Sequence, residues 1–91
     1  MNRYHKGRRL EYQAMRELVL HGYLPVRSAG SHTPFDIIGI SGTDVLLLQV
    51  KAGKIGKDEA RRLREIPLPE CAKVQVWTWR GRAGWCKEVF R

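Results

Sequence analysis

The segment that most restricts the fold of this chain is Val45–Lys51, which reads Val-Leu-Leu-Leu-Gln-Val-Lys. Successive side chains of a strand point to opposite faces of a sheet, so a run that stays apolar up to Gln49 is covered on both faces. The pattern predicts a central strand. A chain of 91 residues has room for one core, so residues 1–91 are expected to form a single domain around this strand.

Apolar spacing and turn residues place the other elements around this strand. Leu10, Ala14 and Leu18 recur at helical spacing, which predicts a first helix that ends at Gly22. The predicted elements are a helix at Lys6–His21, strands at Tyr23–Arg27, Phe35–Ile40 and Val45–Lys51, a helix at Asp58–Ile66, and strands at Lys73–Trp79 and Trp85–Phe90. The order α-β-β-β-α-β-β predicts an α/β fold of the α+β kind, a mixed β-sheet flanked by helices.

The charge of the chain indicates a polyanionic partner. The chain has seventeen lysines and arginines and nine acidic residues, which gives a formal net charge of +8. Such an excess of positive charge attracts nucleic-acid backbones. We interpret basic residues near the two helices as DNA contacts: Arg8, Arg9, Lys54, Lys57, Arg61 and Arg62, with Arg3, Lys6 and Arg64 nearby. A solvated helix face, in a basic protein that binds no nucleic acid, is the alternative.

No part of the sequence indicates a membrane protein. The longest apolar run is Val45–Leu48, far shorter than a bilayer requires, and the N-terminus lacks the apolar stretch of a signal peptide. We therefore expect a cytoplasmic protein, or a viral or phage protein that acts in the host cytoplasm.

Polar side chains at the end of the central strand suggest a metal site. Gln49 and Lys51 point to one side of the strand, and pairing with the preceding strand brings Asp36 toward the same side. The Asp36 carboxylate, the Gln49 amide oxygen and the Val50 carbonyl are ligands suited to Mg²⁺, with Glu11 at the edge of the first helix nearby. Lys51 would offset charge on a bound phosphate. The alternative is a turn aspartate and a lysine that reaches into solvent.

The same residues form part of a longer pattern. Lys6-Gly7 through Glu11, Val26-Arg27-Ser28-Ala29-Gly30-Ser31, Asp36-Ile37-Ile38 and Leu48-Gln49-Val50-Lys51 follow one another without a large gap. Together they resemble the archaeal Holliday-junction resolvases among the PD-(D/E)XK nucleases, whose pattern is a K-G-x-x-x-E helix, an R-S-A-G-S loop, a D-(I/L)-(I/V) strand and an E-x-K strand. The motifs cover the first half of the chain, and the second half agrees in the order of its elements.

The resemblance implies a restriction-endonuclease-like fold and assigns roles to residues. Glu11 and Asp36 match the acidic metal-site residues, Lys51 matches the catalytic lysine, and Arg27, Ser28 and Ser31 match the loop near the scissile phosphate. The implied function is Mg²⁺-dependent (or Mn²⁺-dependent) endonuclease cleavage of branched DNA, with Holliday-junction resolution first, by a homodimer in recombination or repair.

Gln49 departs from the resemblance because the family has glutamate at this position. Glutamine keeps an oxygen ligand and loses a full charge, and virus-type replication-repair nucleases also carry glutamine there. Two alternatives follow, a nuclease of flaps, ends or nicks, and a catalytically inactive DNA-binding module of the same fold.

Aromatic, histidine and cysteine residues add weaker expectations. Trp77, Trp79 and Trp85 are expected to form a subunit interface, with base stacking or core packing as alternatives. His32 is the one histidine placed to touch substrate, although a surface histidine is the commoner case. Cys71 and Cys86 have no metal-ligand spacing and are expected to be reduced, partly buried thiols.

Overall fold

The computed structural model describes residues 3–28 and 33–91, and the side chains of the first helix from residue 7 onward. The elements are α1 (Arg3–Leu20), β1 (Leu24–Arg27), β2 (Ile37–Ile40), β3 (Val45–Lys51), α2 (Lys57–Glu65), β4 (Ala72–Trp79), a 3₁₀ turn (Gly81–Ala83) and β5 (Trp85–Val89). The predicted order of helices and strands is confirmed. Ser31 and His32, which the sequence placed near the substrate, lie outside the described residues.

The five strands form one mixed sheet in the order β1-β2-β3-β4-β5. β3 pairs antiparallel with β2 and parallel with β4, and α2 makes the crossover that a parallel pair requires. The prediction of a central strand is therefore confirmed for Val45–Lys51. Because β3 and β4 are parallel, their carboxyl ends lie at the same edge of the sheet.

Each helix covers one face of the sheet. On the α1 face the buried core contains Ala14, Leu18, Ile37, Leu46, Leu48 and Trp77. On the α2 face it contains Phe35, Leu63, Val74 and Val76. Leu48 and Val76 are almost fully buried on opposite sides. Gln49 alternates with Leu48 and pairs with Val76, so Gln49 and Lys51 lie on the α2 face.

The first helix ends as the sequence predicted. Gly22 has φ 86°, in the left-handed region where a side chain would be strained. The amides of Gly22 and Tyr23 donate to the carbonyls of Val19 and Leu18 at 3.1 and 3.0 Å. This C-terminal turn directs the chain into β1, which is an outer strand of the sheet.

Two expectations about single residues are wrong. Trp77 is 2% exposed and belongs to the core on the α1 face, so it cannot form a subunit interface. Its ring packs 5.7 Å from that of Trp85, which in turn lies 5.0 Å from Trp79. Both cysteines are free and exposed, because Cys71 precedes β4 and Cys86 lies on the edge strand β5. None of the described helices is long and apolar enough to cross a membrane.

Candidate functional site

Backbone hydrogen bonds to two neighbouring segments hold Asp36 in place. It lies one residue before β2, its amide donates to the Leu48 carbonyl at 2.8 Å, and its carbonyl accepts from the Ser28 amide at 2.9 Å. Its Oδ2 accepts the Val50 amide at 2.8 Å. The Ile37–Leu48 pairing places Asp36 beside Gln49, so the strand register brings these two polar side chains together.

Burial raises the pKa of Asp36 above its ordinary value of 3.8. The Val50 amide opposes this shift, and the charge of Glu11 adds to it. Lys51 and Arg27 lower the pKa by smaller amounts. The charges of Glu11 and Lys51 therefore act on the pKa of Asp36 in opposite directions.

Gln49 is the most buried polar residue of the site, with 9% of its surface exposed. Its Nε2 donates to Glu59 Oε2 at 3.0 Å, whereas its Oε1 is buried and has no hydrogen-bond partner among the described residues. A buried oxygen without a partner is costly, so this atom is suited to a ligand that the protein itself does not supply.

Lys51 shares the α2 face with Gln49, as the strand alternation predicted. Its Nζ lies 3.0 Å from Glu59 Oε2 and 3.2 Å from Glu59 Oε1. Hydrogen bonding with Lys51 lowers the pKa of Glu59, and the hydrogen bond from Gln49 lowers it further. Glu59 is therefore ionised and lies between the two residues of the Q-x-K pair.

Glu59 is the site residue that the sequence did not identify. Its position in the first turn of α2 favours an interaction with the helix dipole, but the same is true of Asp58, so the sequence does not distinguish the two. The Asp58 carboxylate is 96% exposed and pairs with Arg61 at 3.2 Å. The difference lies in the rotation of α2 against the sheet, which no local pattern reports.

Glu11 lies at the edge of the site and has its own partner. Arg27 Nε is 2.8 Å from Glu11 Oε1, and the Arg27 guanidinium lies 5.2 Å from the centre of the Tyr12 ring. The hydroxyl of Ser28 donates to the Phe35 carbonyl. Arg27 thus connects β1 to α1, and Ser28 connects β1 to the segment that carries Asp36. Their predicted contacts with DNA stay predictions.

The donors present suit a hard divalent cation that keeps most of its waters. No group of three or more histidine, cysteine, aspartate or glutamate side chains in residues 3–28 and 33–91 is arranged to hold a metal ion. Mg²⁺ often takes only one or two protein carboxylates. The Asp36 carboxylate, just before β2, and the unpartnered Gln49 Oε1, on β3, provide oxygens of this kind.

A groove lies beside this site and includes Lys51. It runs between the beginning of α1 and the loop after β3, and Gly7, Leu10, Val50, Lys51 and Lys54 are among its lining residues. The predicted basic contacts Arg8, Arg9, Lys54, Lys57, Arg61 and Arg62 are all exposed. They lie on α1, on the loop after β3 and on α2, which are the elements around the site.

The chain forms a mixed five-stranded sheet with a helix on each face, and acidic and basic side chains lie beside its central strand, in agreement with the predicted restriction-endonuclease-like fold. Among solved structures, the chain is similar to Hjc, a Holliday junction resolvase from the archaeal hyperthermophile Archaeoglobus fulgidus. The TM-score is 0.77 at 29% sequence identity, and the likeness covers 93% of this chain and 73% of that chain. The predicted resemblance to archaeal Holliday-junction resolvases is confirmed, and it extends well into the second half of the chain. No family model and no curated protein matches the sequence.

Proposed function

We propose that this protein is a metal-dependent endonuclease that hydrolyses phosphodiesters in structured DNA. Four-way junctions are the substrate that we propose for it. The observation that carries the proposal is the cluster of Asp36, Gln49 and Lys51 at one edge of the sheet, on a fold similar to that of a Holliday junction resolvase. The net charge of +8 and the exposed basic residues around the cluster support a nucleic-acid substrate.

Each residue of the cluster has a separate role in this proposal. The Asp36 carboxylate, Gln49 Oε1 and the Val50 carbonyl would hold Mg²⁺, for which Mn²⁺ could substitute. When bound there, the cation would supply charge to polarise the phosphate and to lower the pKa of a water. Lys51 donates to the phosphate and offsets charge that develops on it. Glu11, held by Arg27, adds negative charge near Asp36.

A homodimer is part of the proposal, because a four-way junction presents two symmetry-related strands for paired cuts. Exposed apolar side chains on β1 and β2 support an interface between copies: Leu24, Val26 and Ile40 are 65%, 44% and 42% exposed. Sedimentation of the protein at the concentration of the cleavage assay tests whether the cutting species has twice the mass of the chain.

The inactive DNA-binding module is the second candidate. Gln49 lacks the charge of glutamate, and Lys51 is already paired with Glu59. Both observations favour binding without cleavage. Such a protein would bind a junction tightly and leave it intact with every divalent metal.

Cleavage of labelled junction, flap and linear duplex in Mg²⁺ and in Mn²⁺ separates the candidates. We expect the wild type to cut the junction, and Asp36→Asn and Lys51→Met each to lower the rate about 100-fold or more, as is usual for groups that stabilise charge at the reacting centre. Lys87→Met is the matched control, because Lys87 also pairs with a glutamate, Glu17 at 2.8 Å, but lies on β5.

The panel of substrates also decides the DNA structure. Faster cutting of the flap or of the linear duplex would identify that DNA as the substrate in place of the junction, with the same proposed chemistry. Binding without cutting in either metal would establish the inactive module. Equal rates for the wild type and both site variants would contradict the proposed active site.

A further inference from the structure

Glu59 contacts both polar residues at the end of β3. Its Oε2 accepts from Gln49 Nε2 at 3.0 Å and lies 3.0 Å from Lys51 Nζ. These contacts join α2 to the central strand at the candidate site. Neither the sequence motifs nor the function proposed above assigns a role to this residue.

The chemistry of the two partners fixes the direction of the Gln49 amide. A carboxylate only accepts hydrogen bonds, so it selects the NH₂ end of the amide and turns the oxygen end away. The oxygen that is turned away, Oε1, is buried and without a hydrogen-bond partner among the described residues. An amide without this partner could present either end to a cation, and the NH₂ end is a donor that cannot bind one.

The direction of the amide matters at this position because a glutamine stands there. Either oxygen of a glutamate can bind a cation, whereas a glutamine has one useful oxygen. Gln49 lies in the strand next to Asp36, whose Oδ2 is fixed by the Val50 amide at 2.8 Å. A cation bound by Asp36 would therefore need Gln49 to keep its oxygen end available.

We propose that Glu59 is a positioning residue of the metal site, which holds the Gln49 amide so that Oε1 is presented to the cation. The inference rests on the proposed function, since it concerns the same site. Groups that orient a metal ligand commonly change metal affinity 10- to 100-fold when they are removed. Glu59 does this from a neighbouring helix, so the rotation of α2 against the sheet controls the metal site.

Titration of the protein with Mn²⁺, followed by electron paramagnetic resonance in the absence of DNA, tests the proposal. We expect Glu59→Gln to weaken Mn²⁺ binding about tenfold or more. The matched control is Asp58→Asn, which removes one charge from the adjacent position of the same helix and is expected to leave the affinity within about twofold of the wild type, because the Asp58 carboxylate is 96% exposed.

A double-mutant cycle separates positioning from a general effect of charge. In a Gln49→Glu background there is no amide to orient, so Glu59→Gln should change the Mn²⁺ affinity by no more than about threefold. The side-chain NH₂ resonances of Gln49 give a second measurement, because Glu59→Gln should shift them and speed their exchange with water. An equal loss of affinity in both backgrounds would overturn the positioning role.

Asp36→Asn distinguishes this inference from the function on which it rests. If Asp36→Asn weakens Mn²⁺ binding and Glu59→Gln behaves like Asp58→Asn, the role of Glu59 is wrong and the proposed metal site stands. If neither Asp36→Asn nor Glu59→Gln changes the affinity, the metal site is wrong and both proposals end. Thermal unfolding in EDTA checks that each variant is folded.

Discussion

Asp36 is held in the folded protein in a position that disfavours its charge. Burial raises its pKa above the ordinary value of 3.8, and the negative charge of Glu11 adds to this shift. A carboxyl whose pKa is raised by folding binds protons more tightly in the native state. The stability of the metal-free protein should therefore fall as the pH rises from the ordinary pKa through the raised one.

Replacing Asp36 by asparagine should remove this cost. The amide keeps an oxygen for the Val50 amide and carries no charge, so we expect the midpoint of thermal unfolding at pH 7 in EDTA to rise. The gain is small, because the carboxyl is partly solvated. It should vanish well below pH 3.8, where Asp36 is protonated in both the folded and the unfolded protein. Calorimetry between pH 3 and pH 7 measures the difference. A variant less stable than the wild type at pH 7 would contradict the assignment.

Helix α2 connects the core to the candidate site. Leu63, 1% exposed, is its buried residue and packs with Phe35, Val74 and Val76 on the sheet. Glu59 lies one turn earlier on the same helix. The packing of Leu63 therefore sets the rotation of α2 that brings the Glu59 carboxylate to Gln49 and Lys51.

Leu63→Ala should destabilise the protein by about 2–5 kcal/mol, because a buried leucine leaves a cavity when it is truncated. Leu20→Ala is the matched control: Leu20 is 81% exposed at the end of α1, so its truncation should change the free energy of unfolding by no more than about 0.5 kcal/mol. Urea denaturation followed by circular dichroism measures both. A cost below about 1 kcal/mol for Leu63→Ala would show that α2 is anchored in another way.

Local patterns predicted the elements well and their mutual placement less well. The two-sided apolar run of β3 identified the central strand, and alternation placed Gln49 and Lys51 on one side. Glu59 was missed because its role depends on how a helix is rotated against a sheet eight or more residues away in sequence. Trp77 was misplaced for a related reason: alternation assigns a residue to a face of β4 but does not say that α1 covers that face.

Across the whole molecule, four exposed basic residues lie around the same end of the sheet. Lys54 follows β3, Lys57 begins α2, and Arg80 and Arg82 lie in the turn between β4 and β5. β3 and β4 are parallel, so their carboxyl ends lie at the same edge of the sheet. All four basic residues lie in the segments that come after these two ends. A polyanion that follows this edge would pass over Asp36 and Lys51.

Binding of a non-cleavable junction should therefore depend strongly on salt. Each phosphate that a lysine or arginine neutralises contributes roughly 0.9 to the slope of log K against log salt concentration. Lys57→Ala should lower the magnitude of the slope by about 1 and weaken binding at low salt.

Lys73→Ala is the control, because Lys73 pairs with Asp44 at 3.0 Å near the opposite edge of the sheet, and the slope should not change. Fluorescence anisotropy from 50 to 300 mM salt is a suitable measurement. A slope near zero for the wild type would mean that the charge of +8 has no nucleic-acid partner at this edge, since counterion release accompanies every phosphate contact. A slope that falls equally in both variants would place the DNA on a different surface from the candidate site.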